Sequence, residues 1–135
     1  MLTFSVMGIK CIINLKNGVY KMGMDSATGK SFIVSLLCKA DYVGVIKSVT
    51  YNRDSYMKHE SLSNILSSID DSIQIVVLDD IDFYAGEVTD KIVEQLRNIA
   101  EHAVVLLDSK YGPVSLADFQ KYVMIDLRKS EIEVS

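Results

Sequence analysis

The sequence predicts an α/β fold built on a mostly parallel sheet. Three observations carry that expectation. Short β-branched apolar runs alternate with segments of helical periodicity along most of the chain. The inner runs, Ile73 to Leu78 and Ala103 to Leu107, are apolar nearly throughout, as strands covered on both faces must be. The pair Asn17-Gly18 supplies the positive φ of a tight turn and so predicts a β-hairpin ahead of the alternating part.

The elements run in order along the chain. Ile9 to Leu15 and Val19 to Met24 are the two arms of the expected hairpin. A small, polar stretch from Asp25 to Ser31 separates them from Phe32 to Cys38, apolar nearly all round and read as a buried helix. Val43 to Tyr51 is β-branched and predicts a strand. Leu62, Ile65, Leu66 and Ile69 recur at i, i+3, i+4 and i+7, which predicts an amphipathic helix over Ser61 to Ile69. After the strand Ile73 to Leu78, Glu87 to His102 places Val88, Ile92, Val93, Leu96, Ile99 and Ala100 on one helical face. Ala103 to Leu107 is the next strand. Ser115 to Lys121 predicts a short helix with Ser115 as its N-cap, and Val123 to Leu127 and Ile132 to Val134 are terminal strands.

A chain of 135 residues makes one domain, here residues 1–135 with the hairpin of 1–24 leading into the polar stretch that starts at Asp25. An apolar share of 49% beside 24% charged residues excludes disorder. The excess of 18 acidic over 14 basic residues gives no support to nucleic-acid binding across the surface. The aromatic and basic stretch Tyr51, Arg53, Tyr56, Lys58 and His59 is read as a solvated loop, with a nucleic-acid or peptide contact as the alternative. No apolar run is long enough to span a membrane. The first ten residues lack a basic n-region and a small-residue cleavage site, so they are read as a strand rather than a signal peptide. Cys11 and Cys38 have no metal-ligand spacing and are expected to be reduced, half-buried thiols of a cytoplasmic protein. His59 and His102 have no paired ligands, and His102 is placed at a helix end, where it complements the dipole.

Two motifs carry chemistry. The first is the loop Met24-Asp25-Ser26-Ala27-Thr28-Gly29-Lys30-Ser31, set between a strand and a helix. Gly29 lets backbone N–H groups turn toward an anion, and the helix start behind it adds partial positive charge. The second is Ile75-Val76-Val77-Leu78-Asp79, four apolar residues ending in a carboxylate. Together they resemble the Walker A and Walker B motifs of the P-loop NTPases. Walker A is G-x-x-x-x-G-K-[ST], and here Met24 stands at its first glycine, with Gly23 displaced by one. The resemblance covers residues 19–109.

The resemblance implies a three-layer sandwich around the parallel sheet, in the branch with an extra strand between the Walker A and Walker B strands (RecA-like and AAA+ proteins). In that branch the Ala103–Leu107 strand lies between the other two. It implies ATP and Mg²⁺ as ligands. Met24 to Ser31 would cradle the phosphates, with Lys30 neutralising them. Ser31 and Asp79 would hold Mg²⁺, and Asp80 would polarise the attacking water, with Asp82 a weaker competitor. Asp108-Ser109 stands at the position called sensor 1, and Ser109 is the easier group to bring near a phosphate. ATP is preferred over GTP because the guanine-reading N/T-K-x-D signature is absent. Residues 109–122 hold no arginine, which disfavours a small-molecule kinase. A transition-state arginine would then come from a second copy or a protein partner, with Arg128 the candidate to act on a neighbour. The alternative is a non-catalytic relative serving as an interaction or scaffold module, to which Met24 and the short side chain of Asp80 both point.

Overall fold

A computed structural model of the chain describes residues 1–22, 29–58, 61–108, 119 and 121–135. They build an α/β arrangement with two four-stranded sheets, one mixed and one wholly parallel.

The mixed sheet begins with β1 (Leu2–Val6) and β2 (Ile9–Ile13), an antiparallel hairpin. Its two-residue loop is Met7-Gly8, both at positive φ, 54° and 74°. That is the backbone a tight hairpin needs. The hairpin expected across Asn17-Gly18 is therefore corrected to an earlier one. Gly18 does not take up positive φ, and the chain there leaves one sheet for the other. It opens β3 (Gly18–Lys21), the first strand of the parallel sheet. At the far end of the chain, β7 (Ile125–Arg128) and β8 (Glu131–Val134) form a second hairpin, and β8 lies parallel to β2. The mixed sheet thus runs β1-β2-β8-β7.

The parallel sheet contains β3, β4 (Ser48–Tyr51), β5 (Ile75–Leu78) and β6 (Val104–Leu107), in the order β3-β6-β5-β4. The Val104–Leu107 strand lies between the Asp79 strand and the strand entering the loop. At the outer edge of β3, Tyr122 makes a parallel bridge to Lys21. The Lys21 N–H donates to the Lys121 carbonyl (2.8 Å), and the Val123 N–H to the Lys21 carbonyl (3.0 Å).

Every residue of β5 and β6 is buried, and their side chains divide by alternation. Ile75, Val77, Val104 and Leu106 join Tyr20 and Met22 in a core with α1 (Lys30–Tyr42) and the mixed sheet. Val76, Leu78, Val105 and Leu107 join a second core with α2 (Arg53–Tyr56), α3 (Leu62–Ser67) and α4 (Asp90–Ile99).

Helix α1 buries Ile33, Leu36, Leu37 and Ala40, one face of an otherwise mixed helix. It runs further than Cys38 and shortens the strand expected over Val43 to Tyr51. The cause is Gly44, whose φ of +83° suits only a residue without a Cβ. Gly44 N–H donates to the Asp41 carbonyl and Val45 N–H to the Ala40 carbonyl, both at 3.0 Å, the paired bonds of a Schellman stop. In α3, the Ser61 hydroxyl caps the first turn by accepting from the Asn64 N–H (3.1 Å).

The helix expected from Glu87 starts at Asp90, after a 3-10 helix over Ile81–Glu87. Glu87 accepts from the Leu62 N–H (3.2 Å), so its carboxylate caps the start of α3 instead of opening α4. His102 follows α4 and sets Nε2 3.3 Å from Asp71. Both cysteines are free, but neither is half-buried: Cys11 is buried and Cys38 exposed. Burial pushes the Cys11 thiol up to about 11. No helix among the described residues is long and apolar enough to cross a membrane. The short helix expected over Ser115 to Lys121 falls almost wholly outside the described residues.

Candidate functional site

The site grows out of the parallel register. Leu78 pairs with Leu107, and Leu107 with Lys21. The next residues along, Met22, Asp79 and Asp108, therefore emerge side by side beyond the carboxyl ends of β3, β5 and β6. Backbone bonds fix them there. Met22 N–H donates to the Leu107 carbonyl (2.8 Å) and Asp108 N–H to the Leu78 carbonyl (3.0 Å). Asp79 N–H donates to the Tyr51 carbonyl (2.8 Å). Ligands of open parallel sheets bind at this end.

Helix α1 points its first turn at the same place. Gly29 caps it at φ +86°, ψ 14°, a left-handed conformation that turns the chain into the helix. Lys30 and Ser31 follow. They line a cleft of about 320 Å³ with Met22, Val34, Asp79 and Asp108. Across it the Lys30 ammonium donates to Asp108 Oδ1 at 2.9 Å, with only 14% of the lysine side chain and 20% of the aspartate exposed. A charge pair this sheltered from water is not a surface ornament.

Asp79 is half-buried, and burial pushes its carboxyl up to about 6. A hydrogen bond shared with Asp108 and the charges of Asp108 and Asp80 add to the rise. Lys30, Asp108 and Asp79 thus form a chain of contacts, with Asp108 held by the Lys30 ammonium on one side and sharing a hydrogen bond with Asp79 on the other. Asp80 adjoins the cleft without lining it. Its φ of 51° is left-handed, a conformation aspartate tolerates better than most side chains, and its carbonyl accepts from the Phe83 N–H (3.1 Å).

The sequence-predicted residues divide accordingly. Lys30, Ser31 and Asp79, though far apart in sequence, come together. Met24, Asp25, Ser26, Ala27, Thr28 and Ser109 lie outside the described residues, as does His59. Asp82 lies in the 3-10 helix. Arg128 is exposed on β7 and paired within its own chain, 2.8 Å from Asp126 and 3.6 Å from Glu131.

Two residues carry more than the sequence reading gives them: Asp108, named there beside Ser109, which lies outside the described residues, and Tyr56, read as part of a solvated loop. Asp108 itself supplies the polar group lining the cleft. Tyr56 is fully buried, not solvated, and its hydroxyl has no partner among the described residues. Burial raises the phenol, and Asp79 and Asp80 nearby raise it further. The sequence signal for Asp108 is its place directly after a fully apolar strand, the same signal that marks Asp79.

The donor set suits a small hard cation. Ser31 offers a hydroxyl and Asp79 a carboxylate in the lining of one cleft. Mg²⁺ is usually held by one or two protein oxygens, with phosphate and water completing the shell. Among the described residues no group of three or more His, Cys, Asp or Glu side chains is placed to hold a metal alone. Compared with known proteins, the chain matches no family model and no curated sequence.

Proposed function

We propose that this chain binds a nucleoside triphosphate with Mg²⁺ and acts as a minimal ATPase of P-loop type. The observation that carries the reading is the convergence of Lys30, Ser31, Asp79 and Asp108 on one cleft beyond the parallel strands. The strand order β3-β6-β5-β4 supports it, being the order implied for the extra-strand branch. So does the packing of helices α2 to α4 against one face of the parallel sheet, with α1 and the mixed sheet on the other.

Each residue has a defined task in this reading. Gly29 turns the backbone so that the α1 N-terminus faces the phosphates. Lys30 leaves Asp108 and neutralises the terminal phosphoryl oxygens. Ser31 and Asp79 would hold Mg²⁺, which when bound would supply neutralisation of the phosphate charge. Asp80 accepts the proton of the water that attacks the terminal phosphorus, as the bond to the bridging oxygen breaks and the diphosphate leaves. ATP is the expected nucleotide because no guanine-reading motif is present.

One observation favours a second reading, nucleotide binding without turnover in an interaction or scaffold module. Asp80 does not line the cleft, and its side chain is one methylene shorter than the usual glutamate.

A titration with Mg-ATP tests the binding. At a hundred times its Kd, the ligand should stabilise the fold by about 2.7 kcal/mol. Lys30→Ala should weaken binding by about 2 kcal/mol, the scale of a lost charge-assisted contact. Unchanged affinity in a folded Lys30→Ala protein would end the phosphate assignment. Single-turnover hydrolysis at several protein concentrations then separates the ATPase from the scaffold.

A further inference from the structure

Among the described residues the cleft is lined by a single cationic side chain, Lys30, and that cation is already engaged by Asp108 at 2.9 Å. Asp79 shares a hydrogen bond with Asp108, and the charges of Asp108 and Asp80 both bear on it. Among the described residues, then, the lining carries one ammonium and two carboxyl groups. A bare polyphosphate is a concentrated anion. To reach Lys30 it must take the ammonium from Asp108, and it then faces an aspartate with no counter-ion in a site largely closed to water. A polyphosphate complexed with a divalent cation meets a different cleft. Part of its charge is already cancelled, and the cation gives the carboxyl groups something to face.

We infer that Asp108 determines the form of ligand the cleft accepts, selecting the metal-complexed polyphosphate over the free anion. The inference rests on the phosphate-binding reading above and deepens it. Asp108 is a specificity-determining residue here, acting through its charge and its hold on Lys30. Its backbone bonds to Leu78 and Ile81 do not involve the side chain, so replacing the carboxylate leaves the strand end intact.

The probe is inorganic tripolyphosphate, titrated calorimetrically in excess Mg²⁺ and again in EDTA. Three folded proteins are compared: wild type, Asp108→Asn and Lys30→Ala, with Asp108→Ser as a second replacement should the asparagine variant fold poorly. Wild type should bind the Mg²⁺ complex at least tenfold more tightly than the free anion. Asp108→Asn should gain about tenfold in affinity for the free anion, the effect of one like charge removed from a sheltered site, and so nearly abolish the preference. Lys30→Ala should lose affinity under both conditions. An Asp108→Asn protein with the wild-type preference overturns the inference, as does a wild type indifferent to Mg²⁺, and in both cases the phosphate reading stands if Lys30→Ala still weakens binding. A wild type that binds tripolyphosphate under neither condition overturns the phosphate reading and this inference together.

Discussion

Asp79 costs the folded chain stability, and replacing it with asparagine should restore some. Burial and the neighbouring Asp108 raise its carboxyl from 3.8 to about 6. The sign depends on which state holds the proton. Below about pH 4 the carboxyl is protonated in both folded and unfolded chains, so it contributes no difference. Between about pH 4 and 6 the unfolded chain has lost the proton while the folded one retains it, and stability falls as pH rises. Above that range the penalty is complete. About two pH units at about 1.36 kcal/mol each set a ceiling near 3 kcal/mol. The group is only half-buried, and solvent screening brings the expectation to about 1–2 kcal/mol. Asparagine cannot ionise, and its amide can donate to Asp108 as the protonated acid does. Asp79→Asn should therefore stabilise the ligand-free protein by about 1–2 kcal/mol at pH 8 and by less than about 0.5 kcal/mol at pH 4. Urea unfolding followed by circular dichroism across this pH range reads the effect as a shift in midpoint at constant slope. An equal effect at pH 4 and pH 8, or a loss of stability at pH 8, would refute the reasoning. The same variant should lose Mg²⁺-dependent ATP binding, so stability and function would move in opposite directions.

Asp80→Asn should keep Mg-ATP binding and lower single-turnover hydrolysis by roughly 10²-fold, the scale of a lost general base; since asparagine also tolerates left-handed backbone, the unfolding midpoint should hardly move. Gly29→Ala should destabilise the fold by about 1–2 kcal/mol, because alanine is strained at this positive φ. The new Cβ would also lie 3.1 Å from Leu127 Cδ1, so the loss should appear in thermal unfolding even without nucleotide. Ser61→Ala removes the hydroxyl that accepts from the Asn64 N–H and should cost about 1 kcal/mol, measured by urea unfolding.

The alternation of the core was legible because buried parallel strands have no polar face to confuse the pattern. Val76-Val77-Leu78 and Val104-Val105-Leu106-Leu107 could be little else. Turn residues were legible as turns but not as pairings. Asn17-Gly18 announces a change of direction, and nothing local says that the next strand will join a different sheet. The less conspicuous Met7-Gly8 makes the hairpin because its flanking strands share an edge. Gly44 is a similar case, standing inside a β-branched run while the preceding helix uses it as a stop. Tyr56 and Glu87 mislead for one reason. Each looks polar in sequence, and each is placed by contacts to distant residues: Tyr56 beneath the acidic strand ends, Glu87 at the start of α3.

The role of Asp108 turns on long-range geometry of the same kind. An aspartate after a strand is ordinarily a turn residue, and near a phosphate it is repelled. What changes its meaning is the register between β5 and β6. Leu78 opposite Leu107 sets Asp108 beside Asp79, while the entry into α1 brings Lys30 to its carboxylate from across the cleft. A slip of one residue would send Asp108 to the opposite face of the sheet, separating it from both partners. In the observed register the carboxylate is the counter-ion of Lys30, the one cation lining the cleft among the described residues, and a hydrogen-bond partner of Asp79. The Lys30 charge, which would be costly alone, is thereby paired within the protein. In the proposed reading, a phosphate that frees Lys30 would leave Asp108 unpaired. A divalent cation arriving with the phosphates would compensate for that loss, which a phosphate alone would not do.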